Sequence, residues 1–87
     1  MAYHLEDHAQ EKRISLGIPF TDIDRAFLYP HQIVPDNRRP HVITRRIYHG
    51  FIILNRRVYI LRLPVDLATI PPTIKTVYYA DHRRYIQ

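Results

Sequence analysis

The chain has 87 residues, a formal net charge of +5 and two glycines, and 46% of its residues are apolar. This length supports one domain, residues 1–87, with a single core, and excludes two independent cores. The absence of cysteine excludes disulfides and thiolate metal sites, and it fits a reducing compartment.

The apolar runs of the sequence are short. The first residues are polar, and the longest unbroken apolar run, Phe51 to Leu54, is too short to span a bilayer. We therefore expect a soluble, cytoplasmic protein with no membrane association.

Charge is divided unevenly along the chain. Residues 1–37 contain six acids and three bases, a net charge of −3, whereas residues 38–87 contain ten bases and two acids, a net charge of +8. A basic second half predicts a surface for a polyanion such as RNA. The alternative is a solvated arginine-rich surface without a ligand.

Two helices are predicted first. Asp7 is the expected N-cap of one helix, with Gln10 at capping-box spacing, and Gly17 is its expected end. The second helix follows Pro19 and ends before Pro30. Phe20, Ile23, Ala26 and Phe27 recur at helical spacing and give it a core face.

Strand composition follows the second helix. The predicted strands are His31 to Val34, Val42 to Tyr48, Val58 to Leu63 and Ile74 to Tyr79. His49-Gly50 is expected to interrupt the second of them. The resulting fold class is α+β, with two N-terminal helices packed on one face of a roughly four-stranded antiparallel sheet.

Several short motifs occur in a characteristic order. They are His8-Ala9-Gln10-Glu11-Lys12, Leu16-Gly17-Ile18, Ile23-Asp24-Arg25-Ala26, Pro30 and Thr76-Val77-Tyr78. Together they resemble the small RelE- and BrnT-like toxin domains, which have a His-Ala-x-x-Arg helix and a closing Thr-Val-Tyr strand. Lys12 and Leu16 stand where that family usually has arginine.

The resemblance implies a RelE-like fold and a metal-independent ribonuclease toxin held silent by an acidic antitoxin protein. It places the family's helical histidine at His8, its helical basic residue at Lys12 and its strand threonine at Thr76. No cofactor is implied.

Metal-free RNA cleavage needs a group that takes a proton from the 2′-hydroxyl, a group that protonates the leaving oxygen, and cations for the phosphate. His8 is the first candidate for proton transfer, and Lys12 lies one turn along the same helix face. Arg62 lies inside an apolar strand and must reach an acid or face a cleft. Thr76 and Tyr78 share one face of the last strand.

Each of these residues also has a purely structural interpretation. His8 fits a helix-surface histidine bonded to a neighbouring group, and strand propensity alone explains Thr76 and Tyr78. Further basic residues are candidate phosphate contacts, although alternation allows only one of Arg45 and Arg46 to line a given surface. The predicted RNA-binding residues are Arg45, Arg57, His82, Arg83 and Arg84.

Two functions therefore follow from the sequence. The first is a ribonuclease toxin that cleaves RNA by 2′-hydroxyl attack. The second is a non-catalytic basic module that binds nucleic acid or an acidic protein. If the run Phe51 to Leu54 is exposed, it predicts an interface with an antitoxin or with a second copy of the chain.

Overall fold

The protein is represented by a computed structural model, which describes residues 2–38 and 41–81. Its fold is α+β, with two helices and a mixed sheet. The elements in chain order are β1 (His4–Leu5), α1 (Asp7–Leu16), α2 (Phe20–Leu28), β2 (Gln32–Pro35), β3 (Arg45–Leu54), β4 (Arg57–Asp66), β5 (Thr73–Ile74) and β6 (Tyr78–Asp81).

Both predicted helices form. Helix α1 begins at Asp7, so its N-cap is Glu6 rather than Asp7, and it ends where Gly17 adopts a left-handed φ of 67°. Within α1 only Ala9 is buried, and the helix packs mainly beside β6. Helix α2 instead buries Ile23 and Ala26 in the core.

The sheet differs from the predicted four antiparallel strands. It has six strands in the order β1-β5-β4-β3-β2, and β6 also pairs with β4. Strand β1 pairs with β5 in parallel, and every other pairing is antiparallel. Strand β1 escapes prediction because two residues are too short to show a strand pattern.

The expected final strand is also divided into β5 and β6. Both strands pair with β4, Ile74 opposite Val65 and Tyr78 opposite Arg62. Three residues separate Ile74 from Tyr78, whereas only two separate Arg62 from Val65 on β4. Pro64 lies at this mismatch and has no N–H to donate, while its carbonyl accepts a 2.8 Å hydrogen bond from the Lys75 N–H. The extra residue therefore forms a β-bulge opposite the proline.

The longest feature is the β3–β4 hairpin, with ten residue pairs from Arg45↔Asp66 to Leu54↔Arg57. Asn55 and Arg56 form its turn, with φ angles of 50° and 63°. Positive φ at both positions is the geometry of a type I′ turn. Strand β3 continues through His49 and Gly50, so the predicted interruption is wrong.

The two faces of the hairpin have different surroundings. Leu61, Leu63 and Val65 face the helices and pack in one core cluster with Ile23 and Ala26. The alternate residues lie on the face that α2 does not cover. No helix in the described ranges has the length and apolar character that membrane crossing requires.

Gly50 allows α2 to approach β3 closely. An ideal Cβ on Gly50 would lie 2.6 Å from the Ala26 Cβ and 2.9 Å from its Cα. We expect Gly50→Ala to lower the free energy of unfolding by about 2 to 3 kcal/mol, because helix and strand must separate. Urea unfolding measures this change.

Gly17→Ala is the matched control. Nothing lies within 4 Å of a Cβ at Gly17, so only its positive φ opposes alanine. We expect a loss of about 1 kcal/mol there. An equal or smaller loss for Gly50→Ala would contradict the close approach of α2.

Candidate functional site

A cleft of about 680 Å³ opens on the sheet face that α2 does not cover. Residues from α1, the β2 end, β3, β4 and the β5–β6 bulge line it. Five residues singled out from the sequence are among them, although they are widely separated along the chain. These are His8, Arg45, Arg62, Thr76 and Tyr78.

The short parallel pairing of β1 with β5 brings helix α1 to this cleft. The Glu6 N–H donates to the Ile74 carbonyl, and the Glu6 carboxylate forms a salt bridge with Lys75. Both contacts fix the start of α1 beside the bulge. His8, in the first turn of α1, therefore lines the same cleft as Thr76.

The cleft lining is more basic than acidic. Among the residues that the structure describes, Arg38, Arg45, Arg62 and Lys75 line it together with one acid, the buried Asp36. The Asp36 Oδ1 accepts a hydrogen bond from the Arg38 backbone N–H at 3.1 Å.

Acids outside the lining reduce this positive charge. Glu6 pairs with Lys75, and Asp66 lies 3.9 Å from the Arg45 Nε. The Arg45 contact is at the distance limit of an ion pair, so Asp66 compensates only part of the Arg45 charge. The cleft is therefore positive but not strongly so.

Arg62 is held by two aromatic neighbours. Its Nε–H donates to the His49 Nε2 at 3.0 Å, and its guanidinium carbon lies 5.2 Å from the centre of the Tyr78 ring. Arg62 and Tyr78 are direct cross-strand partners. A guanidinium over an aromatic face is a favourable cation–π arrangement.

His49 is a site residue that the sequence analysis missed. Its side chain is 0% exposed, and it is the cross-strand partner of Arg62. Burial lowers the pKa of His49 to about 4, with further lowering by the charges of Arg62 and His31. The ring is therefore neutral near pH 7. Because Nε2 accepts from Arg62, the proton lies on Nδ1, which donates to the Gln32 Oε1 at 3.3 Å.

A sequence signal for His49 did exist. Alternation places Arg45, Ile47 and His49 on one face of a strand that continues past Gly50. The predicted strand ends at Tyr48, so His49 falls outside its alternating pattern.

Other predicted residues lie elsewhere. Lys12 is exposed on α1 and does not line the cleft, and Arg46 donates to the Arg45 carbonyl instead of lining it. Arg57 lies at the turn end of the hairpin, whereas Arg45 pairs with Asp66 at the opposite end. Nine residues along β4 separate Arg57 from Asp66, a distance of about 30 Å. His82, Arg83 and Arg84 lie outside the described residues.

Three polar groups of the cleft are available to a ligand. The His8 imidazole and the hydroxyls of Thr76 and Tyr78 form no side-chain hydrogen bond with residues 2–38 and 41–81. Within the same ranges, no three His, Cys, Asp or Glu residues are grouped as metal ligands.

Comparison with family models, with curated proteins and with solved structures finds no match for this chain.

The lowered pKa of His49 predicts a pH-dependent stability. Its folded pKa of about 4 lies below the unfolded value of about 6.5, so its contribution is complete above pH 6.5 and is lost as pH falls towards 4. We expect the wild type to lose about 2 kcal/mol more than His49→Gln between pH 7 and pH 4.5.

Urea unfolding at several pH values measures this difference. His41→Gln, a change in an exposed loop histidine, should follow the wild type. Parallel pH profiles for the wild type and His49→Gln would show that His49 is not held neutral by its surroundings.

Proposed function

We propose that this chain is a metal-independent ribonuclease toxin with a RelE-like domain, and that the cleft is its active site. The observation that carries the proposal is the meeting of His8, Arg62, Thr76 and Tyr78, with Arg45, in one basic cleft. Their sequence positions span 8 to 78, so chain proximity does not account for their meeting. The RelE- and BrnT-like resemblance of the motifs supports the same conclusion.

The reaction is intramolecular transfer within the RNA backbone. His8 takes the proton of a 2′-hydroxyl, whose oxygen attacks the adjacent phosphorus. The bond from phosphorus to the 5′-oxygen breaks, which leaves a 2′,3′-cyclic phosphate and a 5′-oxygen that receives a proton from the Tyr78 hydroxyl. Arg45 and Arg62 stabilise the phosphate charge, and Thr76 donates a hydrogen bond to a phosphate oxygen.

An acidic antitoxin is the proposed protein partner. In the run Phe51 to Leu54, Phe51 is 46% and Ile53 73% exposed, whereas Ile52 is buried. Exposed apolar side chains at the turn end of a basic hairpin suit a partner with apolar and acidic residues. A homodimer through the same surface is the alternative.

RNA cleavage in the presence of EDTA tests the enzymatic proposal. We expect the purified wild type to cleave single-stranded RNA, and His8→Ala to be slower by about 10² or more, since a proton-transfer group contributes on this scale. Gel analysis and identification of cyclic phosphate ends measure both.

His4→Ala is the matched control. His4 lies four residues from His8, but it lines a different pocket, together with Thr69 and Pro71, and should not affect cleavage. Intact RNA at equimolar wild type, beside normal cleavage by an unrelated nuclease, would refute the proposal.

One observation favours the non-catalytic alternative. His8 has no orienting partner among the described residues, whereas a catalytic histidine is usually fixed by a second group. A binding module would hold RNA without forming products. Its affinity should fall steeply with salt, and Arg62→Ala should reduce the slope of log affinity against log salt by about 1.

Filter binding between 50 and 200 mM salt gives that slope. Arg57→Ala, at the far end of the hairpin, is the control and should change the slope less. Equal slopes for Arg62→Ala and the wild type would place the bound RNA outside the cleft.

A further inference from the structure

We propose that His49 is a positioning residue, which holds the Arg62 guanidinium in the cleft through its Nε2 so that Arg62 meets a phosphodiester in a fixed orientation. The inference rests on the proposed RNA site in the cleft, but it applies equally whether the RNA is cleaved or only bound.

The geometry fixes the guanidinium in two independent ways. A guanidinium is planar, so fixing the Nε–H direction removes much of its freedom, and His49 does this at 3.0 Å. The Tyr78 ring, 5.2 Å from the guanidinium carbon, then limits rotation of that plane. An arginine held in this way loses less conformational entropy on binding a phosphate than a freely rotating arginine does.

His49 is itself held in place by burial and by a second hydrogen bond. His49 is fully buried, and its second ring nitrogen donates to the Gln32 Oε1 on the neighbouring strand. The chain of contacts runs from β2 through β3 to β4, across three adjacent strands of the sheet. The position of Arg62 is therefore set by the sheet rather than by a loop.

The chemistry of the acceptor matters as well. A carboxylate at position 49 would also accept from Arg62, but it would add a negative charge beside the anion site. A neutral imidazole accepts the same hydrogen bond and adds none. Among the described residues, Arg62 on β4 donates to His49, and His31 before β2 has its ring centre 5.9 Å from that of His49. Both favour the neutral ring.

Three substitutions separate these effects. His49→Gln retains a neutral acceptor, His49→Phe removes the acceptor, and His49→Glu supplies a charged one. The probe is a 2′-O-methyl hexanucleotide, which cannot undergo 2′-hydroxyl attack and therefore reports binding alone. His31→Phe is the control, because it removes a neighbouring histidine while retaining an aromatic ring on Phe51.

We expect His49→Phe and His49→Glu to weaken oligonucleotide binding about tenfold or more, as loss of an orienting partner does at other sites. His49→Gln and His31→Phe should remain within about threefold of the wild type. In ¹⁵N-labelled wild type, a scalar coupling across the hydrogen bond should join the Arg62 Nε to the His49 Nε2. This coupling needs no ligand and no variant.

Absence of that coupling, or wild-type affinity in a folded His49→Phe, overturns the inference. Should His49→Phe fail to fold, the coupling and the contrast between His49→Gln and His49→Glu still decide it. Failure of the proposed nuclease function would look different. The wild type would then bind the oligonucleotide with the expected His49 dependence and leave unmodified RNA intact.

Discussion

The arrangement of the cleft depends on the break in pairing that Pro64 imposes along β4. A proline inside a strand has no N–H to donate to the neighbouring strand. Opposite Pro64, the segment that joins β5 to β6 contains one extra residue. The bulge brings Lys75 and Thr76 to the cleft lining. Strand β5, just before it, pairs with β1, and that pairing carries α1 and His8 to the same place.

Electrostatics distinguishes the members of the cleft. Lys75 and Arg45 each have an acid nearby, so part of their charge is compensated within the fold. Arg62 contacts a neutral imidazole and an aromatic ring. A cation fixed in this way suits recognition of a phosphate, which both the proposed ribonuclease and the proposed binding module require. The two functions differ in what His8 does.

Much of the fold could be predicted from the sequence because its signals are local. Gly17 and Pro19 separate the two helices, and β-branched and aromatic residues mark the hairpin strands. The parallel β1–β5 pairing and the bulge depend on contacts between distant residues, and no local pattern encodes them. Strand β4 was expected to end at Leu63, but its pairing with β3 continues past Pro64 to Asp66.

The site was predicted in part for the same reason. The resemblance to RelE- and BrnT-like domains indicated His8 and Thr76, and alternation added Tyr78. Arg62 was indicated by its place inside an apolar strand. All four residues line one cleft. Arg57 was selected by charge alone, and charge does not reveal which end of a hairpin a residue occupies. His49 was missed because its role depends on Arg62, a partner thirteen residues away on the next strand.

The central claim is that RNA binds in this cleft through the residues that line it. Titration of ¹⁵N-labelled protein with a non-cleavable RNA oligonucleotide tests it most directly. The account predicts that the largest NMR shift changes fall on His8, Arg62, Thr76 and Tyr78, with little change at Arg57 and on α2. Shift changes confined to α2, to the turn end of the hairpin or to no defined surface would contradict it.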